Sequence, residues 1–453
     1  MRGAVVATAL LATWLSAVVL GSAYAEQRVF TATLAGHAVF PAASFVSAPA
    51  DAPPGLKTSG KFTTGRRVDV PGRVMGRSGG RPTGIGLPFN GQPVQGFSGI
   101  KRLADGSYLV VSDNGFGTKL NSADHMLMLH RFAIDWGRNA VERRETIFLH
   151  DAGKIIQFEI VNNATEKRYL TGADFDPESI QVVGDKIWLG DEFGPYLLRF
   201  DLTGKLEALF ETTMAGVRVR SPDHYMFAPT KWPDVLKPFN LARSRGIEGL
   251  AQSADGRRLY ALLEGPLWDR DKKDWEHEAG VAFLRIGEFD MPTTAWTGRT
   301  WKYPLEASGF SIGDFAMIDA TTGLVIERDH GEGTSEHACP SGTKAETCFH
   351  DLPKFKRIYK IELSDANAGG FVRKIGYIDL LAIRDPVRKS VKRLSNGLLQ
   401  MPFATIEALD IVDTKHIIVG NDNNLPFSSS RDPNRADDSE FVLLEVEALL
   451  SAR

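Results

Sequence analysis

Apolar and polar residues alternate along this chain in short bursts, and the bursts come in pairs. Five stretches share one layout: an acidic or hydroxyl side chain, an apolar strand, a tight turn, a second apolar strand and a charged cluster. They read GFSGIKRLADGSYLVVSDNG (96–115), DPESIQVVGDKIWLGDEFG (176–194), GIEGLAQSADGRRLYALLEG (246–265), GDFAMIDATTGLVIERDHG (313–331) and TIEALDIVDTKHIIVGNDN (405–423). Apolar runs of strand length around Asp-Gly and similar turns predict β-hairpins. Their fivefold return predicts a repeat architecture. Each of the first four hairpins is followed by two more strand candidates, as in YLLRFDLTG and KLEALFETT after the second. A hairpin with two outer strands is the four-stranded sheet of a propeller blade. The fifth hairpin has one trailing strand, EFVLLEVEAL (440–449), and the alternating RVFTATLAGHAVF (28–40) is available to complete its sheet. Joining N- and C-terminal strands in one blade closes the ring and leaves no long free edge. The expected fold is all-β: one β-propeller domain over 26–453, with five visible repeats and five or six blades.

Three insertions interrupt the rhythm. RVRSPDHYMFAPTKWPDVLKPFN (218–240) is rich in aromatics and proline, the stretch near 331–353 carries both cysteines, and DLLAIRDPVRKSVKRLSNGLLQMP (379–402) is basic and partly helical in pattern. Ahead of the fold, Met1-Arg2, the apolar run 4–21 and Ala23-Tyr24-Ala25 have the layout of a signal peptide over residues 1–25. The expectation is a periplasmic or secreted protein beginning at Glu26. No later run approaches the ~20 apolar residues of a membrane span.

Composition narrows the partners. The formal charge is -3 over 453 residues, and loss of Arg2 with the leader makes it -4. That balance lacks the basic footprint of a nucleic-acid binder. In an exported chain, Cys339 and Cys348 are expected to form a disulfide. His337 and His350 flank the pair and leave a zinc site as the alternative.

In an antiparallel hairpin, the start of the first strand and the end of the second lie at one end of the sheet. Reading the copies against one another gives Ser98, Glu178, Glu248, Asp314 and Glu407 as starts. The ends are Asp113–Asn114, Asp191–Glu192, Glu264, Arg328–Asp329 and Asp422–Asn423. One carboxylate at a strand start is ordinarily a turn cap that accepts backbone N–H bonds. Several aligned by a repeat crowd like charges together, which raises their pKa values unless a cation lies between them. A divalent metal suits such a mouth, Ca2+ above all, because hard cations take six to eight oxygens from carboxylates, amides and water. Candidate ligands are Asp113, Asp191, Glu192, Glu264, Asp314 and Asp422. Arg328 breaks the acidic pattern, either as an ion-pair partner or as a planar grip on an anionic group. His330 either moves protons near neutral pH or is a loop histidine. Ser98, Asn114, His330 and Asn423 are the candidate substrate contacts.

GFSGI followed by VSDNG, the stretch DPESI…GDEFGPYLLRFD (176–201), GIEGLA…LLEGPL, and IEALDIV…NDNNLPFS (406–428) resemble the bacterial phytase-like propeller proteins labelled "esterase-like activity of phytase". The resemblance spans roughly 90–449. It implies a secreted or periplasmic β-propeller with a hydrolase label, and it does not imply phytate, whose six phosphates call for a dense basic cluster or several calcium ions. No H-E-x-x-H or P-loop is present, and the one G-x-S-x-G spelling, GRSGG (76–80), falls in a turn-heavy stretch rather than at a strand-to-helix elbow. The leading expectation is a metal-assisted hydrolase of a small ester or phosphoester. Glu178, Glu248 or Glu407 would act as general base and Arg328 would hold the anion. A non-catalytic ligand- or protein-binding propeller is the alternative from another class, and a lactonase-like enzyme with one divalent metal is a third reading.

Overall fold

The computed structural model describes residues 27–227, 239–343 and 346–453. The leader expected over 1–25 and residues 228–238 of the first insertion lie outside the described residues. Strands carry the architecture. β1 (Thr33–Phe40) comes first. Sheet one is β2 (Phe97–Arg102), β3 (Tyr108–Ser112), β4 (Met128–Asp135) and β5 (Ala140–Phe148), each antiparallel to the next. Sheet two is β6 (Pro177–Val183), β7 (Lys186–Asp191), β8 (Tyr196–Asp201) and β9 (Leu206–Glu211). Sheet three is β10 (Ile247–Gln252), β11 (Arg258–Leu263), β12 (Val281–Asp290) and β13 (Ala295–Pro304). Sheet four is β14 (Ser311–Met317), β15 (Thr322–Arg328), β16 (Lys356–Glu362) and β17 (Arg373–Asp379), with Arg28–Phe30 added in parallel beside β17. Sheet five is β18 (Ile406–Ile411), β19 (His416–Asn421), β20 (Ser439–Glu445) and then β1, which runs antiparallel to β20 from Thr33 opposite Glu445 to Phe40 opposite Ser439.

The five repeat hairpins are the first two strands of the five sheets. Their tight turns follow from sequence. In the Asp-Gly turns at 105–106 and 255–256, the glycines take φ of +84° and +68°, which a residue without Cβ adopts at no steric cost. Packing between sheets follows from the alternation. Separate apolar clusters fill the spaces between sheets one and two, two and three, three and four, four and five, and five and one. The first strands also touch in order: β2 on β6, β6 on β10, β10 on β14, β14 on β18, and β18 on β2.

Two expectations change. Residues 41–95 hold only two-stranded pieces, such as Val74–Ser78 with Arg81–Leu87, so the described residues contain no sixth four-stranded sheet. The stretch 379–402 is not helical. It carries the two-residue strands Ile383–Arg384 and Leu398–Leu399, paired with each other. Its apolar residues Ile383, Leu399 and Met401 are drawn into the core between sheets four and five rather than forming a helical stripe, and Pro386 removes a donor that a helix needs. Cys339 and Cys348 are joined in a disulfide with Cα atoms 4.9 Å apart, so their thiols are unavailable to zinc. No helix among the described residues is long and apolar enough to cross a membrane.

Candidate functional site

The first strands of sheets two, three and five share one irregularity. Their register slips between Pro177 and Ser179, between Ile247 and Gly249, and between Ile406 and Ala408. The extra residue in each slip is Glu178, Glu248 or Glu407. A β-bulge leaves its extra residue unpaired and re-aims the side chain. All three glutamates line one cavity of about 270 Å³ at the hairpin ends.

Sheet four departs from this pattern. Its slip covers Gly313 and Asp314, between Ile312 and Phe315. Packing identifies the equivalent residue: Gly249 backs onto Asp314 and Phe315, as Gly99 backs onto Ser179 and Ile180. Asp314 therefore matches Ser179, and Gly313 occupies the glutamate position. This corrects the alignment made from sequence by one residue, which in a sheet reverses the face. Asp314 accepts the Phe315 and Leu409 N–H groups at 2.7 and 2.8 Å and does not line the cavity. At Gly313 a Cβ would lie 2.0 Å from the Ile406 carbonyl oxygen, so no side chain fits.

The strand ends obey the same register. Ser112, Asp191, Leu263, Glu327 and Asn421 pair with the residue just before each slip. The residues one step further on are Asp113, Glu192, Glu264, Arg328 and Asp422, and all five line the cavity. Asp191 stands one step short. Its oxygens accept the N–H groups of Asp176, Gly194 and Tyr196, which makes it an anchor of the turn.

The cavity lining holds eight carboxylates (Asp113, Asp176, Glu178, Glu192, Glu248, Glu264, Glu407, Asp422) and two guanidiniums, Arg245 and Arg328. The charges are segregated. Arg328 Nη2 lies 2.5 Å from Glu407 and 3.8 Å from Glu264, and Arg245 lies 2.6 Å from Glu264. Asp176, Glu178, Glu192 and Glu248 form no salt bridge among the described residues. Carboxylate oxygens of Asp176, Glu178 and Glu192 lie within 4.8 Å of one another, as do those of Glu178, Glu248 and Glu407, and those of Glu192, Glu248 and Glu264. Burial, reinforced by neighbouring carboxylates, holds Glu178, Glu192, Glu248 and Asp422 well above the usual carboxylate range. Burial pushes Asp113 up to about 8 and Asp176 to about 6. Glu407 is also raised by burial, against the pull of Arg328.

Two buried atoms in the lining lack a partner: Glu192 Oε1, an acceptor, and Arg328 Nε, a donor. The guanidinium is otherwise held by Glu407 and by the Ala404 carbonyl at 3.2 Å. An all-oxygen set with an orphaned carboxylate oxygen suits a hard divalent cation, and Asp176, Glu178, Glu192 and Glu248 are the residues that would hold it.

Of the proposed substrate contacts, Asn114 and His330 line the cavity. Asn114 Nδ2 donates to Asp176 at 2.6 Å. Burial, and then Arg328, lowers the His330 pKa. Ser98 lies behind the lining with Oγ 3.5 Å from Glu407. Asn423 bridges the Gly96 N–H and the Asp437 carbonyl and so clips two loops together. Asn424, one of the asparagines expected to offer a neutral oxygen, lines the cavity, and so do Asp176, Arg245 and Thr405, which were not anticipated. Asp176 and Arg245 stand just ahead of the hairpins, outside the aligned strand starts, two residues before Glu178 and three before Glu248.

The setting is thus an all-β repeat protein with a buried carboxylate site at its hairpin ends. A sequence model of the phytase-like family, described as "esterase-like activity of phytase", matches residues 92–425, and the chain belongs to that family. An uncharacterized secreted protein of Arthroderma benhamiae is 28% identical over 142 residues, which cover 29% of this chain and 26% of that protein. The match thus spans about a quarter of that relative's length. Among solved structures, the PQQ-bound aldose sugar dehydrogenase of Streptomyces coelicolor is 12% identical, with 78% of this chain and 95% of that one covered and a TM-score of 0.34. The glutaminyl cyclase of Myxococcus xanthus is 10% identical, with 78% and 91% covered and a TM-score of 0.33. A putative 6-phosphogluconolactonase of Bacteroides uniformis is 12% identical, with 76% and 87% covered and a TM-score of 0.29.

Proposed function

We propose that the five sheets are the blades of one closed propeller and that the chain is an exported hydrolase of small esters or phosphoesters. The cyclic order of first-strand contacts and the five inter-sheet cores support the ring. The disulfide and the secreted relative support export. The observation that carries the hydrolytic reading is the segregation of charge in one cavity. Four carboxylates that form no salt bridge among the described residues share the cavity with Arg328, whose buried Nε–H has no partner among those residues.

Asp176, Glu178, Glu192 and Glu248 hold the divalent ion, Ca2+ being the first candidate. When bound, the ion supplies Lewis-acid polarisation and a more acidic water. Glu178 is the favoured proton acceptor, because no lysine or arginine among the described residues holds its oxygens. Glu407 is less suited, since Arg328 holds one of its oxygens. Among the described residues the Arg328 Nε–H donates to no acceptor, which supports a role in donating to an anionic oxygen of substrate or leaving group. Asn114 steadies Asp176 through its amide.

The test combines calorimetric titration with Ca2+ and a panel of p-nitrophenyl acetate and p-nitrophenyl phosphate turned over in its presence. Binding of about one ion per chain with turnover of either substrate is expected. Ion binding without turnover of any ester or phosphoester would make the mouth a ligand-binding site instead.

A further inference from the structure

A second cavity of about 500 Å³ opens beside the acidic one, within the range of small-molecule sites. One chain segment runs from the first to the second. Gly117 lines the acidic cavity, and Lys119 and Leu120, two and three residues on, line this one. Lys119 Nζ donates to the Asp223 carbonyl at 3.2 Å and sits 5.6 Å over the ring of Phe193, whose neighbour Glu192 faces the carboxylate cluster.

Its walls are mostly apolar. Ile160, Val161, Leu120 and Ala173 line it, together with Phe158 and Tyr225, whose rings stack in parallel at 4.4 Å. Three carboxylates interrupt them: Glu159 is exposed, Asp174 is spent on the Val161 and Thr171 N–H groups and the Thr171 hydroxyl, and Asp223 keeps one oxygen unengaged. Asp223 is 5% exposed and lines the cavity; Arg243 takes its Oδ1, and Oδ2 has no partner among the described residues. A buried acceptor left unpaired is costly, and the cost is recovered when a ligand donates to it. The chemistry that fits is therefore a flat apolar group with one hydroxyl. A sugar would bring several hydroxyls to a wall that offers few partners.

We propose that this groove seats a phenolic group of the ester substrate, with its hydroxyl on Asp223 Oδ2 and the scissile bond toward the carboxylates. The assignment of the scissile bond rests on the hydrolytic reading above. The seat itself is tested without turnover, by ligand-observed NMR or calorimetry with phenol and benzene as probes. Phenol is expected to bind the wild type about tenfold tighter than benzene, the size of one hydrogen bond to a charged acceptor. In Asp223→Asn the preference for phenol should disappear. Leu120→Trp, at a position 71% exposed on the rim, should block both probes without disturbing the fold. An unbound phenol, equal affinity for phenol and benzene in the wild type, or unchanged phenol binding in Leu120→Trp would each overturn the seat. None of these outcomes bears on Ca2+ binding or on hydrolysis of p-nitrophenyl acetate, so failure here is separable from failure of the hydrolytic reading.

Discussion

Sheets two and four begin with the same hairpin and end in opposite charge. In sheet two, the bulge position and the residue after the second strand are Glu178 and Glu192. In sheet four, the same two positions are Gly313 and Arg328. The backbone device is shared, so the repeat alone decides where side chains converge. What the converged groups can do is decided by the exception. A cavity with carboxylates at every position attracts only cations, whereas one repeat carrying a guanidinium gives it a cationic side that can meet an anion.

The largest test makes sheet four resemble sheet two. Gly313→Glu places a Cβ where the Ile406 carbonyl already lies, at 2.0 Å. Backbone must move, and the loss of stability should exceed ~3 kcal/mol. Thermal denaturation should show a sharply lower Tm or no folded protein. A normal Tm would mean that Gly313 is not the equivalent of Glu178.

Arg328→Gln removes the cation of sheet four, leaving Arg245 in the lining, while keeping an amide in place. Turnover should fall by about 10²-fold, the usual size of one lost oxyanion donor. Glu407 then loses its cation, so metal analysis should find additional divalent ion bound per chain. Equal turnover and unchanged metal content would reduce Arg328 to a structural ion-pair partner.

Lys356 makes the contrast measurable without substrate. It lies beneath Arg328 with its Nζ on the Asp329 carbonyl at 2.6 Å and on the Asp329 carboxylate at 3.1 Å. Burial, then Arg328, lowers its pKa to about 8, against the pull of Asp329 and Glu332. The folded state therefore loses this proton before the unfolded chain does, for which the value is 10.5. Below pH about 8 the destabilisation is complete, and it is relieved as pH rises toward 10.5. Urea unfolding at pH ~7.5 and ~9.5 should show the wild type gaining stability relative to Lys356→Met, on the order of 2 kcal/mol. Arg328→Gln should shrink that gain. No difference in slope between wild type and Lys356→Met would remove Arg328 and Lys356 from one electrostatic unit.

How much of this was legible follows from what a repeat displays. The hairpins stood out because short apolar runs such as Ile187-Trp188-Leu189 in sheet two fill the cores on both sides of a sheet and are bounded by turn residues. The acidic mouth was legible too, since Glu178, Glu248 and Glu407 open three hairpins. A bulge leaves no mark in composition, so Asp314 and Asp191 were aligned one residue away from the positions that face the cavity. Asp176 and Arg245 escaped because they precede the strands. Residues 41–95 gave no repeat because, apart from Val74–Ser78 and Arg81–Leu87, their strands are two residues long.

On the acidic side, Glu178→Gln should weaken Ca2+ binding by about tenfold or more, as loss of a charged ligand does. Glu407→Gln should do less, because Arg328 holds one of its oxygens. Calorimetry on both variants ranks them, and the reverse order would move the ion to the Arg328 side of the cavity.

The smallest effect belongs to sheet one, which carries Ser98 at the glutamate position. Its hydroxyl reaches Glu407 Oε2 only at 3.5 Å, at the outer limit of a hydrogen bond. Ser98 is also buried and does not line the cavity, so it meets neither ion nor substrate. Ser98→Ala should therefore cost about 0.5 kcal/mol or less in unfolding experiments and leave turnover and Ca2+ affinity unchanged. A large loss of turnover in Ser98→Ala would place the serine hydroxyl in the chemistry. Sheet one would then join sheet four as an active exception to the acidic repeat, and charge would no longer be the feature that separates working positions from silent ones.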